Sequence, residues 1–169
     1  EAAILNRGQY DQPATKVAGG VPASIREGSV NNRSDLADWM LHPEHPLVAR
    51  VAVNRIWMTL WGVGLVATPE DFGSQGDIPE HRELLDHLAH SFMNDNWNVK
   101  RLCRRILMSA TWQQSSERRA DLTHIDPENR LLARGPQFRL SAEQIRDSAL
   151  AASGLLSRTV GGPSVRPPQ

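Results

Sequence analysis

Cysteine is nearly absent from this sequence, and the single Cys103 excludes an internal disulfide and a cysteine-based zinc cluster. Charge of one sign is absent too. Nineteen Lys and Arg face nineteen Asp and Glu, so no global field draws nucleic acid or an anionic membrane. No apolar run approaches the roughly 18 residues that span a bilayer. The chain carries no Gly-x-Ser-x-Gly elbow, Walker loop, dinucleotide fingerprint or haem-attaching Cys-x-x-Cys-His. A secretory signal is missing as well, but the chain opens on Glu1 and ends on Gly-Gly-Pro-Ser-Val-Arg-Pro-Pro-Gln, which completes no obvious element. It therefore reads as a piece of a longer protein, and missing targeting signals say nothing about location. What is present is ordinary for a globular domain: 169 residues, 40% apolar and 22% charged, enough for one real core.

Residues 1–31 are rich in Gly and Pro with little periodicity, and are expected to form an extended arm or linker with a short strand near Val17. Helical signals follow. Asn32 or Ser34 can cap a short helix through Leu36 and Trp39, stopped by His42-Pro43. Pro46 suits the start of a second helix, Leu47 to Trp61, which is apolar nearly all round, reads as central and buried, and is ended by Gly62. Glu80 to Asn94 buries Leu84, Leu85, Leu88 and Phe92, and Val99 to Ala110 follows with an i, i+3, i+4, i+7 apolar set. Residues 127–134 are expected to add a turn of helix. Ser141 to Gln144 spells a capping box for a last helix, with Gly154 as its stop. Gly64–Ala67 and Phe138–Leu140 are the candidates for a short ribbon. The expected fold is mainly α: a single domain of about five helices around a buried central helix, with an irregular N-terminal arm and at most a short β-ribbon. Its parts are the arm (1–31), the helical domain (32–160) and the start of a following segment (161–169).

The stretch Pro46 to Gly76 concentrates the demanding residues. Two glycines flank Val63, a Thr-Pro step precedes paired acids, and a Gly-Ser-Gln-Gly run follows. Glu70 and Asp71 are the catalytic candidates, because paired carboxylates divide acid and base roles when their environments split their pKa values. Against this, acids after Thr68-Pro69 also suit a self-bonded turn. Asn54 and Arg55 sit in the apolar helix. A guanidinium there demands a partner, since an unpaired buried charge costs several kcal/mol. Asp71 or Asp147 is its expected counter-ion, in a buried Arg–Asp clasp or in an anion site. Trp61, beside the glycines, is a core anchor or a sugar-stacking platform. The candidate binding set is therefore Asn54, Arg55, Trp61, Asp71 and Asp147.

Other clusters favour plain structural readings. Among the six histidines, His42 and His45 are separated by helix-breaking proline. His87 and His90 are spaced i, i+3, but His87 borders an apolar stripe and reads as a packed imidazole. No metal site is expected. Lys100, Arg101, Arg104 and Arg105 make a basic face that Glu83, Asp86 and Asp95 can neutralise, so nucleic-acid binding is not expected. Cys103 reads as a small core residue.

In combination, these residues resemble domain-of-unknown-function family 1553. The matching text includes Asn32-Arg33, Pro46 to Val51, Val53-Asn54-Arg55-Ile56-Trp57 and Gly62 to Val66. It continues through Thr68 to Gly73, Glu83 to Asp86, Asp126 to Arg130, Ile145-Arg146-Asp147 and Gly161-Gly162-Pro163-Ser164. The family pattern carries histidine where Thr59 stands and tryptophan where His87 stands, which argues against chemistry at position 59 in this chain. The resemblance implies the C-terminal domain of planctomycete-type bacterial proteins with cytochrome-c-like modules. It further implies a periplasmic or cell-surface location, other domains of the same polypeptide as partners, and haem in those neighbours rather than in this segment. Two functions follow as expectations. One is a helical structural or docking module of unknown activity. The other is a carbohydrate-binding or polysaccharide-degrading site on the 62–77 loop, with a polysaccharide as partner.

Overall fold

Local chemistry sets most of the helix boundaries in the computed structural model, which describes residues 2–162. Helix α1 (Arg33–Met40) begins where the Asn32 side chain accepts the Asp35 amide at 3.0 Å. Helix α2 (Val48–Trp61) ends on Gly62 at φ 82°, a left-handed conformation that favours glycine. Helix α3 (Arg82–Asn94) turns into α4 (Val99–Leu107) through Asn96 and Trp97, both at positive φ. That turn is held by the Trp97 amide on the Phe92 carbonyl and by the two rings meeting edge-on at 5.2 Å. Asp95 then receives Arg101 at 3.1 Å and Arg105 at 3.0 Å, so two cations of the basic face are tied to the preceding helix end.

The core joins α2, α3 and α4. Ala49, Val53, Trp57 and Trp61 from α2 meet Leu85, Leu88, Ala89 and Phe92 from α3, with Leu102 and Ile106 from α4 and Leu65 and Val66 from the loop after α2. The i, i+4 spacing on α2 is a one-sided stripe. Arg55 and Thr59 lie on its exposed side, so α2 is not buried all round as its composition implies.

Three expected elements come out differently. The 99–110 periodicity breaks near its end, because the Ser109 hydroxyl bonds back to the Ile106 carbonyl and caps a new four-residue helix, α5 (Ala110–Gln113). A further short helix, α6 (Ala120–Thr123), precedes residues 127–134, which form hydrogen-bonded turns instead of helix. Buried Asp126 organises those turns by accepting the amides of Arg130 and Leu131 at 2.7 and 2.8 Å. Finally, the antiparallel ribbon lies in the N-terminal arm, where β1 (Ala2–Leu5) pairs with β2 (Pro13–Val17). Among the described residues, 64–67 and 138–140 carry no strand. Asn54 explains the first of these: its side chain occupies both the N–H and the C=O of Val66, leaving neither for a ladder.

The chain divides into two compact units, Glu1–Gln137 and Phe138–Gln169. The second contains α7 (Ala142–Ala152), opened by the expected capping box of Ser141 and Gln144 and followed by Gly154 at φ 74°.

Candidate functional site

The demanding residues of the 54–77 region resolve into a lock and a knot. The lock is Asn54, fully buried on α2. Its amide donates to the Val66 carbonyl at 3.0 Å and its oxygen accepts the Val66 amide at 2.9 Å. The side chain thus plays the part of a strand neighbour and fixes the path after Gly62. Gly64 is required here for space. A Cβ at this position would stand 2.8 and 2.9 Å from the Asn54 amide atoms and would collide with the Val66 carbonyl.

The knot is Thr68 to Asp77. The Thr68 hydroxyl donates to the Asp71 carbonyl and accepts the Asp77 amide, each at 2.9 Å. The Asp71 carboxylate accepts the Gly73 amide at 2.7 Å, a local turn bond that uses the acid as a backbone clip. A Cβ on Gly76 would run into the Asp71 carbonyl, so that glycine is also a packing requirement. Phe72 packs against the core cluster.

The predicted side chains therefore scatter. Trp61 is not an open platform: it is buried, stacked on Trp57 at 5.0 Å and met edge-on by Trp112 at 5.5 Å. Arg55 does not form the expected buried clasp. Its side chain is 58% exposed and reaches Glu70 at 3.4 Å, itself largely in solvent. Asp147 lies on exposed α7 in the second unit and pairs with Arg146 at 3.8 Å. Of the candidates, Arg55 and Glu70 are brought together at the surface, Asn54 and Trp61 enter the core, and Asp71 serves its own loop.

The arginine of α2 that pairs with an acid of another helix is Arg50, five residues earlier. Its Nε donates to Asp86 of α3 at 2.6 Å, and Nη1 donates to the Pro46 carbonyl. The hydrogen bond from Arg50 holds the Asp86 carboxyl below its ordinary pKa, against a smaller opposing effect of burial. This pair lines an open pocket of about 410 Å³ between the approach to α2 and α3, with His45, Ala49, His90 and Met93. His45 is the buried histidine, whereas His87 is exposed rather than packed. Sequence reasoning passed over this region because Pro43 and Pro46 rule out the regular spacing by which ligand histidines are recognised. The available signal was a His two residues before the cap position of a helix whose N-terminus lacks a Ser, Thr, Asp or Asn cap. Among the described residues, no three His, Cys, Asp or Glu side chains stand close enough to hold a metal ion. No described helix is long and apolar enough to cross a membrane.

The geometry thus shows a carefully fixed loop, and comparison with known proteins identifies the kind of chain that carries it. Residues 32–169 match the model of the PSD1 family, described as a protein of unknown function (DUF1553). The chain belongs to the DUF1553 family. Neither the curated proteins nor the solved structures contain a match to it. The matched segment includes the residues of the lock, the knot and the Asp126 turns, and the N-terminal ribbon lies outside it.

Proposed function

We propose that this DUF1553 chain is a non-catalytic helical module that docks against other domains of the same polypeptide. One observation carries the reading: Asn54, Thr68 and Asp71 each direct side-chain hydrogen bonds to the backbone of residues 66–77. A loop that needs its polar side chains to hold its own path is built for packing, since a substrate site leaves such groups converging on open space. Helix α1 supplies the docking face. It turns Trp39 inward and leaves Leu36 and Met40 exposed, with exposed Leu41 at its C-cap. In this reading the neighbouring domains are the cytochrome-c-like modules of the family resemblance. They hold the haem, and the polypeptide sits in the periplasm or at the cell surface.

Two measurements test the proposal. Amide exchange at residues 33–41 is expected to be slower in the longer polypeptide than in this chain alone, and Leu36→Glu with Met40→Glu abolishes the difference. A panel of immobilised polysaccharides is expected to retain neither the wild type nor folded Asp71→Ala. Saturable retention of the wild type, lost in a folded Asp71→Ala or Arg55→Ala variant, would replace the docking role with a carbohydrate site on the 62–77 loop.

A further inference from the structure

Helix α1 is seated at one point. Trp39 is its one buried residue, and its indole N–H donates to the Arg26 carbonyl at 3.0 Å. Gly28 leaves room for the ring, since a Cβ there would stand 2.7 Å from Trp39 Cδ1. The remaining side of the seat is His45, whose ring meets the indole edge-on with centroids 4.6 Å apart.

His45 has a second task. Nδ1 accepts the amides of Leu47 and Val48 at 3.3 and 3.4 Å. Those amides belong to the first turn of α2, where no carbonyl precedes to receive them, and Leu47 at the cap position offers no side-chain acceptor. The imidazole therefore caps α2 with one nitrogen while its ring seats α1. Accepting at Nδ1 requires that nitrogen to be unprotonated. A protonated ring presents a donor to two donors and adds a cation beside Arg26.

We propose that His45 is an acid-sensitive latch, whose protonation uncaps α2 and releases α1 with the preceding segment while the α2–α4 core stays folded. The surrounding charges fit this task. Arg26 opposes the charged ring, and Glu44, which pairs with Arg26 and His42 at 3.9 Å each, is 80% exposed and offers the buried ring little compensation. Across the pocket Arg50 and Asp86 neutralise one another, and exposed His90 lines the same space. Burial first and Arg26 second hold the His45 pKa below its ordinary value, against a smaller pull from its own carbonyl. The direction of the linkage follows. Released His45 titrates near its ordinary value of about 6.5, and seated His45 below it. The seated-to-released ratio is thus constant above about pH 6.5 and falls by at most about tenfold per pH unit below it, levelling once the seated ring also protonates. This holds whether or not α1 is a docking face.

The test is backbone hydrogen exchange of the protein between pH 7.5 and 5.5, corrected for the intrinsic pH dependence of exchange. Opening of residues 33–40 is expected to rise up to tenfold toward the acid end, with residues 85–106 unchanged. His45→Asn keeps an acceptor near the Nδ1 position without a titrating proton, and its α1 opening is expected to be independent of pH. His42→Asn and His90→Asn retain the wild-type response. A flat wild-type profile, an unchanged slope in His45→Asn, or loss of the response in His42→Asn or His90→Asn overturns the latch. Should His45→Asn not fold, NMR titration of the wild-type His45 ring decides: a midpoint below 6.5, with α1 opening that rises as pH falls from 6.5 toward it, supports the latch, and a midpoint at or above 6.5 overturns it.

Discussion

Replacing Asn54 by Ala removes the one side chain that satisfies both backbone groups of buried Val66. Each group left without a partner away from water costs about 1–3 kcal/mol. The two together set a ceiling near 6 kcal/mol, and partial relaxation of the 62–66 loop brings the expected loss to about 3 kcal/mol. That is a large share of the 5–15 kcal/mol typical of a domain. The Gly64→Ala variant strikes the same lock from the other side. Its Cβ presses on the Asn54 amide and the Val66 carbonyl, and overpacking of this kind costs about 1–3 kcal/mol. Two of its three close atoms disappear in the Asn54→Ala background, so the double variant is expected to lose at least 0.5–1 kcal/mol less than the two single losses combined. Urea unfolding followed by far-UV circular dichroism gives all four corners of the cycle. An Asn54→Ala loss below about 1 kcal/mol, or strict additivity with Gly64→Ala, would refute the view that this contact fixes the loop.

Three further outcomes follow. Arg55→Ala is expected to change stability by no more than about 1 kcal/mol in urea unfolding, because its partner Glu70 is a solvent-exposed ion pair; a loss of several kcal/mol would restore the buried clasp. Trp61→Phe removes an indole N–H that is buried without a hydrogen-bond partner, so thermal unfolding is expected within about 1 kcal/mol of the wild type, whereas Trp61→Ala costs about 3–5 kcal/mol. Asp86 has its pKa lowered chiefly by Arg50, so its stabilising effect is complete above the ordinary carboxylate range and fades as pH falls through the folded value. Stability measured from pH 6 down to 2 is therefore expected to fall more shallowly in Asp86→Asn than in the wild type, and equal slopes would show that the pair contributes nothing.

The sequence by itself determined the elements whose cause is local. Asn32 as a cap, Gly62 as a stop, the Ser141–Gln144 capping box and the α3 stripe all depend on residues a few positions apart, and each stands where the pattern places it. The rotational phase of α2 was beyond it. Asn54 and Arg55 are neighbours about 100° apart on the helix. With apolar residues all round, composition alone does not say which of the two faces the core. Tertiary packing turned the amide inward to hold Val66 and the guanidinium out to Glu70, and gave the long-range acid partner to Arg50 instead. Asp126 and His45 hold backbone amides only a few residues ahead of them, but neither belongs to a periodic stripe, and it is packing that buries them. Capping and patterning act within a few residues and can be read in order along a chain. The Asn54 contact exists only because backbone twelve residues away comes within about 3 Å, and that distance is set by the fold as a whole.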